Sequence, residues 1–248
     1  MRWKCCCCYD GTDFNGWQSQ PHRNTIQDII EHRLGIIFEH PVRIHGCGRT
    51  DAGVHAREYC FHFDSEWNHG PDALVRALRC GIPKTIQIYS AEQVSQDFHA
   101  RYSITSKQYR YYFLEGHPSP FQYRYVDGLG RRRLNTDIMH ECAQSLIGTY
   151  DFHNFGALHD DNDSEQTIKT ITRMECFREN NMITFVTEGS GYLYKMVRIM
   201  AGCLLQVGLG NRPQSFVTDG LVKDLSYGNI LRKECVPACG LFLHKVTY

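Results

Sequence analysis

The sequence predicts a mixed α/β (α+β) chain of two domains, and three observations carry that expectation. Strand and helix signals occur in both halves of the 248 residues instead of being segregated. The pattern resets at Ser106, which places a boundary near residue 100 and divides the chain into 1–100 and 101–248. Hydrophobic residues make up 42% of the chain, enough for a proper core at this length.

The elements follow in order. An apolar strand runs through Tyr9, and Asp10, Gly11 and Gly16 mark the turn after it. Thr25 and Asp28 resemble a capping box, with Ile26, Ile29, Ile30, Leu34 and Ile37 at helical spacing beyond them. Strands are expected at Val42 to His45 and Glu58 to Phe63. A second helix should begin near Pro71, bury Leu74 and Leu78, and stop before Gly81. In the second half, Tyr109, Tyr111 and Phe113 alternate against Arg110, Tyr112 and Leu114 as a half-buried strand does. A helix follows from about Asn135 to Ile147, then strands from Ile168 to Cys176 and Met182 to Thr187. A long helix is expected over roughly Gly191 to Val207, its apolar face made by Leu193, Met196, Val197, Met200 and Leu204. A shorter helix after Pro213 and a last strand from Leu241 to Val246 complete the chain. The acidic segment His159 to Gln166 lacks the glycine and the terminal glutamate of a calcium-binding loop and is expected to be a surface loop.

Composition excludes several classes. The 27 basic and 27 acidic residues balance, so any nucleic-acid binding must come from local clusters such as Arg131 to Arg133. No run reaches the ~18 apolar residues of a membrane span, because the greasiest stretch, Tyr192 to Leu209, carries Lys195 and Arg198. Tyr9, Asp10 and Gly11 end the N-terminal apolar run before a signal-peptide core forms, and a cytoplasmic protein is expected. The twelve cysteines are then expected as thiols. In the run Cys5 to Cys8, Cys5 and Cys7 share one strand face, and Cys6 and Cys8 the other. A zinc site joining Cys5 and Cys8 to Cys235 and Cys239 lacks a second tight Cys-x-x-Cys pair, and no metal is expected.

Taken alone, the segment RTDAG around Asp51 reads as a turn, Arg49 as a surface charge, and His55 and His99 as hydrogen-bonded histidines. Taken together, YDGTDFNGWQSQP, TIQ, CGRTDAGVHA, DFHAR, KQYRYYF, DFHNF, YKMVRIMAG and GLFLHKV stand in the order seen in the TruA family of tRNA pseudouridine synthases. The chain resembles that family over nearly its entire length, with RTDAGVHA the most specific segment.

The resemblance implies isomerisation of uridine to pseudouridine in the anticodon stem-loop of tRNA, at the end of the loop and in the adjoining stem, with no cofactor. By position Asp51 resembles the nucleophile, attacking either the sugar or the pyrimidine ring. A carboxylate is ionised at neutral pH and attacks without a separate base. Arg198 resembles the arginine that keeps that carboxylate charged, and Arg49 the one that helps displace the uridine from its stack. Tyr109 resembles the tyrosine that stacks on the target base, and Leu241 a residue lining the uracil pocket. The family's fold is two domains, each a mainly antiparallel sheet with helices on one side, the active-site cleft lying between them. Its members are homodimers that use both subunits to hold one tRNA, recognised chiefly by shape.

The departures are CCCC in the first strand, where aliphatic residues are usual, and Cys47, where alanine is usual. They bear on packing and redox sensitivity, since cysteine replaces a small apolar residue. Three alternatives remain open: an inactive RNA-binding homologue, which the presence of Asp51, Arg49, Tyr109 and Arg198 disfavours, a metal or redox protein built on the Cys5 to Cys8 run, and the same chemistry on another RNA.

Overall fold

The computed structural model describes residues 1–21, 24–157, 167–222 and 224–248. The segment His159 to Gln166, expected as a loop, lies outside the described residues. The chain forms two compact units, Met1–Thr105 with Phe242–Tyr248, and Ser106–Leu241.

In the first unit, β1 (Arg2–Tyr9) alternates strictly, with Trp3, Cys5, Cys7 and Tyr9 buried and Lys4, Cys6 and Cys8 half-buried. The four cysteines therefore divide between the two faces as their spacing predicts. Helix α1 (Ile26–Phe38) opens at Thr25, whose hydroxyl accepts from the Asp28 N–H at 3.2 Å and donates to the Asp28 carboxylate at 2.6 Å. It buries Ile26, Ile30 and Leu34, one turn apart on a single face. The next strand, β2 (His45–Gly46), is shorter and later than expected, while Val42 and Ile44 are buried without strand pairing. After it come β3 (His55–Asp64) and α2 (Pro71–Arg79), which starts on Pro71 and buries Leu74, Val75 and Leu78.

The strand β4 (Ile86–Val94) was not anticipated. It buries only Ile86 and Ile88 and leaves the rest of its length largely exposed, so its apolar alternation is too short to read. The central strand β1 pairs antiparallel with β3 on one side and β4 on the other, and β2 pairs antiparallel with β3.

In the second unit, β5 (Ser106–Leu114) buries Tyr109, Tyr111 and Phe113 as its alternation predicts. After it come β6 (Asp127–Gly128), α3 (Thr136–Gln144), β7 (Gly148–Asp151), β8 (Ile168–Glu179) and β9 (Met182–Gly189). The strands β5, β9, β8 and β7 are antiparallel neighbours in that order, and β6 adds a short parallel pair to β5. Helix α3 is capped by Asn135, whose side chain accepts from the Ile138 N–H at 3.2 Å. It ends at Gln144 and not Ile147, because the amides of Leu146 and Ile147 bond three residues back and Gly148, at φ 142°, turns the chain into β7.

Helix α4 (Met196–Gly208) begins five residues later than the expected Gly191. Lys195 is left-handed at φ 58°, and the Tyr192 hydroxyl, bonded to the Thr187 hydroxyl at 3.1 Å and the Lys107 carbonyl at 3.4 Å, ties residue 192 to the sheet. Leu193 is thereby outside the helix whose face it was expected to share. The remaining helices are α5 (Ser215–Val222) and α6 (Gly228–Leu231). At the end of β5, Glu115 is buried and takes hydrogen bonds from Arg133 at 2.6 Å, from Arg178, and from the Leu134 N–H at 2.8 Å.

The last strand, β10 (Leu241–Thr247), pairs parallel with β3, Phe242 against His55 and Leu243 against Ala56. The architecture is thus mixed α/β with mostly antiparallel pairing. Among the described residues no helix is long and apolar enough to cross a membrane.

Candidate active site

Asp51 sits in the first unit at the start of a four-residue turn. The Val54 N–H closes it onto the Asp51 carbonyl at 3.1 Å, and Gly53, its third residue, takes φ 77°. A positive φ at that position is what a type II turn requires, and glycine adopts it without a Cβ clash. Exposure alternates before the turn: Arg49 is exposed, Thr50 buried and Asp51 half-buried, as in an extended segment. Arg49 and Asp51 therefore stand on one side of the loop, and Thr50 anchors the other.

The anchoring is made by the segment from Tyr9 to Trp17. Thr50 shares a 2.9 Å hydrogen bond with the Tyr9 hydroxyl, and its carbonyl accepts from the Trp17 N–H at 3.2 Å. The Gly53 N–H donates to the Phe14 carbonyl at 3.3 Å. Two glycines allow this approach: a Cβ on Gly11 would lie 1.9 Å from the Val54 carbonyl oxygen, and one on Gly16 would lie 2.3 Å from that of Thr50. Below the loop, Trp17 stacks on Tyr59 with ring centroids 3.8 Å apart, and the Tyr59 hydroxyl donates to the Gly48 carbonyl. Both rings are almost fully buried, so the loop rests on a packed aromatic floor.

His55 follows the turn at the start of β3. Its Nδ1 accepts from the Gly11 N–H at 3.0 Å, which makes the ring a neutral Nε2–H tautomer. Asp10 Oδ1 lies 3.2 Å from the same nitrogen, but an Nδ1 that accepts from Gly11 has no proton to give it. The hydrogen bond to Gly11 is the better description, because Asp10 Oδ1 also takes both the N–H and the hydroxyl of Thr12, at 3.0 and 2.6 Å. The His55 ring stacks on Phe242 at 4.5 Å. His55 thus holds the turn to the segment before it, as the hydrogen-bonded histidine the sequence suggested.

The other expected site residues belong to the second unit. Tyr109, on β5, is 9% exposed and forms a T-shaped pair with Tyr192, with ring centroids 5.1 Å apart and planes at 85°. Tyr192 is bonded to Thr187, which faces Tyr109 across the β5–β9 ladder, so ring and partner are fixed by one strand pair. Burial pushes the Tyr192 phenol up, so it stays a neutral hydrogen-bonding group.

Arg198 is half-buried in the first turn of α4, where its Nε donates to the Val236 carbonyl at 2.8 Å. The segment that carries Val236 reaches the helix because Gly202 has no side chain: a Cβ there would lie 1.6 Å from the Glu234 carbonyl. Leu241, 5% exposed, follows Gly240, whose missing Cβ admits the Tyr111 ring. Tyr111 in turn donates to the Pro237 carbonyl at 2.8 Å, and burial raises its phenol.

The structure therefore joins Asp51 and Arg49 in one loop of the first unit and assigns Tyr109, Arg198 and Leu241 to separate elements of the second. The sequence reading missed the supports: Tyr9 and Trp17 under the loop, Tyr192 beside Tyr109, and the carbonyl of Val236 on Arg198. The signal for the first group was the spacing of Gly11 and Gly16, which reads as a turn until its partner is known. Among the described residues no group of three or more His, Cys, Asp or Glu side chains is placed to hold a metal ion.

The family model described as tRNA pseudouridine synthase matches residues 6–103 and 142–248. The chain is 36% identical over 248 residues to the tRNA pseudouridine synthase A of Exiguobacterium sibiricum, covering 100% of this chain and 96% of the relative. It is equally 36% identical to the proteins of that name from Limosilactobacillus reuteri, over 100% of this chain and 96% of the relative, and Lysinibacillus sphaericus, over 97% and 96%. The chain belongs to the TruA family of tRNA pseudouridine synthases, which are isomerases.

Proposed function

We propose that this enzyme isomerises uridine to pseudouridine in the anticodon stem-loop of tRNA, with Asp51 as the nucleophile. In that reaction the bond from the sugar to the base nitrogen breaks and a bond to a ring carbon forms. The proton lost by that carbon is matched by one gained at the nitrogen, so atoms balance with no co-reactant. The carboxylate holds the fragments together while the base turns, by bonding transiently to either the sugar or the ring.

The observation that supports this reading best is the construction of the Asp51 turn. An anionic side chain stands half-exposed on a loop whose backbone is clamped by Tyr9, Phe14 and Trp17 and floored by stacked aromatics. A nucleophile must be held to within a fraction of an ångström, and fixed backbone accomplishes that better than a mobile side chain.

The remaining roles rest on the match of motifs. Arg198, whose Nε is held by the Val236 carbonyl, is in this reading the guanidinium that pairs with the Asp51 carboxylate. Tyr109, held against Tyr192 in a T-shaped pair, is in this reading the ring on which the extruded base stacks. Leu241 lines the uracil pocket. Arg49, exposed beside Asp51, helps displace the uridine from its stack, at a cost of a few kcal/mol that contacts in the pocket offset. With net charge zero, the protein recognises tRNA through shape and local basic clusters, as a homodimer in the cytoplasm whose two copies hold one tRNA.

The test is pseudouridine mapping in tRNA treated with purified Asp51→Ala and Asp51→Asn. Both variants should form no pseudouridine while keeping the native thermal midpoint and most of the tRNA affinity. Turnover at the unsubstituted rate in either variant would refute the nucleophile assignment. Modification confined to sites outside the anticodon stem-loop by the unsubstituted enzyme would refute the substrate assignment alone.

A further inference from the structure

Cys6 and Cys60 face each other in the antiparallel register of β1 and β3. Their Sγ atoms are 2.8 Å apart and both are thiols. Opposed residues in an antiparallel pair have Cα atoms ~4.5–5.5 Å apart, within the ~4.4–6.8 Å that a disulfide spans. Closing the bond therefore needs only side-chain rotation and no movement of either strand. The two residues are 54 positions apart in the chain, so the contact is made by the sheet and not by sequence proximity.

The surroundings distinguish Cys6 from the other thiols of the run. Cys6 is half-buried on the face that carries Lys4, while Cys5 and Cys7 are fully buried on the opposite face, where burial raises both. Around Cys6 stand Cys60 and Glu58 of β3, Ser90 of β4, and Lys4 of its own strand, with Tyr89 and Tyr248 nearby. The hydrogen bond shared with Cys60 outweighs burial and, with Ser90 and Lys4 acting against Glu58, brings the Cys6 thiol down to about 7. Cys60, sharing that bond and more deeply buried, is pushed up. Cys6, half-buried, is thus the more accessible sulfur of the pair, and Cys60, 2% exposed, lies behind it.

We propose that Cys6 and Cys60 form a peroxide-reactive dithiol, an oxidative modification site that closes to an intramolecular disulfide between β1 and β3. The Cys6 thiolate attacks one oxygen of hydrogen peroxide, the O–O bond breaks, and the other oxygen leaves as hydroxide, giving a sulfenic acid. The Cys60 sulfur then attacks Cys6 Sγ, the S–S bond forms, and the S–O bond breaks. The departing hydroxide takes up the Cys60 proton as water. Two thiols lose two electrons, and one peroxide becomes two waters. A thiol reductant reverses the closure by exchange. The bond would staple β1, which ends two residues before Gly11, to β3, which begins at His55, and Gly11 and His55 meet beside the Asp51 turn.

The experiment uses the full-length reduced protein, treated with hydrogen peroxide, alkylated, and digested without reduction for mass spectrometry. The expected product is one cross-linked pair containing Cys6 and Cys60, lighter by two hydrogens, with the other ten of the twelve cysteines alkylated. The rate of closure should rise as pH passes through about 7. The thermal midpoint of the oxidised protein should rise and return on reduction. In Cys60→Ala, a dione probe should instead trap the Cys6 sulfenic acid. In Cys6→Ala, no cross-link should form, thiol loss should slow by at least ~10-fold, and the midpoint should not respond to peroxide. A cross-link on another pair, alkylation of all twelve cysteines after peroxide, or thiol loss in Cys6→Ala at the unsubstituted rate would overturn the proposal. Should Cys60→Ala not fold, the cross-link map and Cys6→Ala decide it.

Discussion

Gly11→Ala tests how the Asp51 turn is held, because it adds one methyl group where two backbones touch. That Cβ would lie 1.9 Å from the Val54 carbonyl oxygen and 2.6 Å from its carbon, against the 3.0 Å below which real Cβ atoms are essentially never found. The two segments must part by at least the 1.1 Å difference, since backbone, unlike the end of a flexible side chain, has no rotamer to escape into. Val54 closes the turn onto Asp51, so the opening is passed directly to the Asp51 peptide. A misplacement of about 1 Å lowers turnover on the order of 100-fold, or about 2.7 kcal/mol of barrier. Overpacking lowers stability by about 1–3 kcal/mol in the same variant. Single-turnover pseudouridine formation at saturating tRNA reads the first, and the thermal midpoint the second. Gly35→Ala is the control, since that Cβ meets only the His40 carbonyl at an ordinary 3.8 Å inside α1. It should leave turnover unchanged and raise stability by about 0.5–1 kcal/mol. A folded Gly11→Ala enzyme with unsubstituted single-turnover rates would refute the positional argument.

Three further outcomes are expected. Burial alone would raise the Glu115 carboxyl, but hydrogen bonds from Arg178, the Leu134 amide and Arg133 hold it below the ordinary glutamate value. Its contribution is therefore complete above the unfolded pKa of about 4.3 and is lost as pH falls through the lower folded value. Glu115→Ala, which leaves the buried Leu134 N–H without its acceptor while Arg133 stays solvated and Arg178 keeps the Leu134 carbonyl and Thr136, should lose about 1–3 kcal/mol in urea titration at neutral pH. His62 is lowered to about 4 by burial and by His99, Arg2 and His45, and its Nδ1 accepts the Ala100 N–H at 3.1 Å. The folded state prefers the neutral ring, so stability should fall as pH drops from about 6.5 towards 4, and His62→Gln should flatten that slope in thermal melts. Arg198→Lys keeps the charge but removes the Nε donor that Val236 holds, a charged hydrogen bond worth about 1.5–3 kcal/mol. Turnover should drop about 10- to 100-fold; an unchanged kcat would show that the Val236 contact does not position the guanidinium.

The elements legible in the sequence were those whose side chains meet solvent on one side and core on the other. The Thr25–Asp28 cap and the Ile26, Ile30 and Leu34 stripe defined α1 because every term in them is local. The alternation of Tyr109, Tyr111 and Phe113 defined β5 for the same reason. What was not legible depended on partners far away in the chain. The strand β4 pairs eight of its nine residues with β1 yet buries few of them, so its existence is recorded in backbone bonds and not in hydropathy. The start of α4 was misplaced because the residues from Gly191 to Lys195 carry helix-compatible side chains, while the restraint that bends them, a tyrosine hydroxyl on Thr187, is tertiary.

The candidate site divides along the same line. The identity of Asp51 and Arg49 could be matched to a family motif, and their shared side follows from residue alternation. Their support could not be read, because glycine is informative only once the opposing atom is known. Gly11, Gly16 and Gly202 each read as a turn or a weak helix position, yet each marks a point where a carbonyl of another segment comes within 1.6 to 2.3 Å of a missing Cβ. Substituting these three therefore separates two ideas that side-chain truncation cannot. If the reaction needs only the carboxylate and its charge partner, Gly16→Ala and Gly202→Ala should affect stability alone. If backbone placement sets the rate, Gly16→Ala, beside Asp51, should lower turnover more than its loss of stability explains, and Gly202→Ala should do so through Arg198. Equal stability losses with unchanged single-turnover rates in both would assign the chemistry to the side chains by themselves.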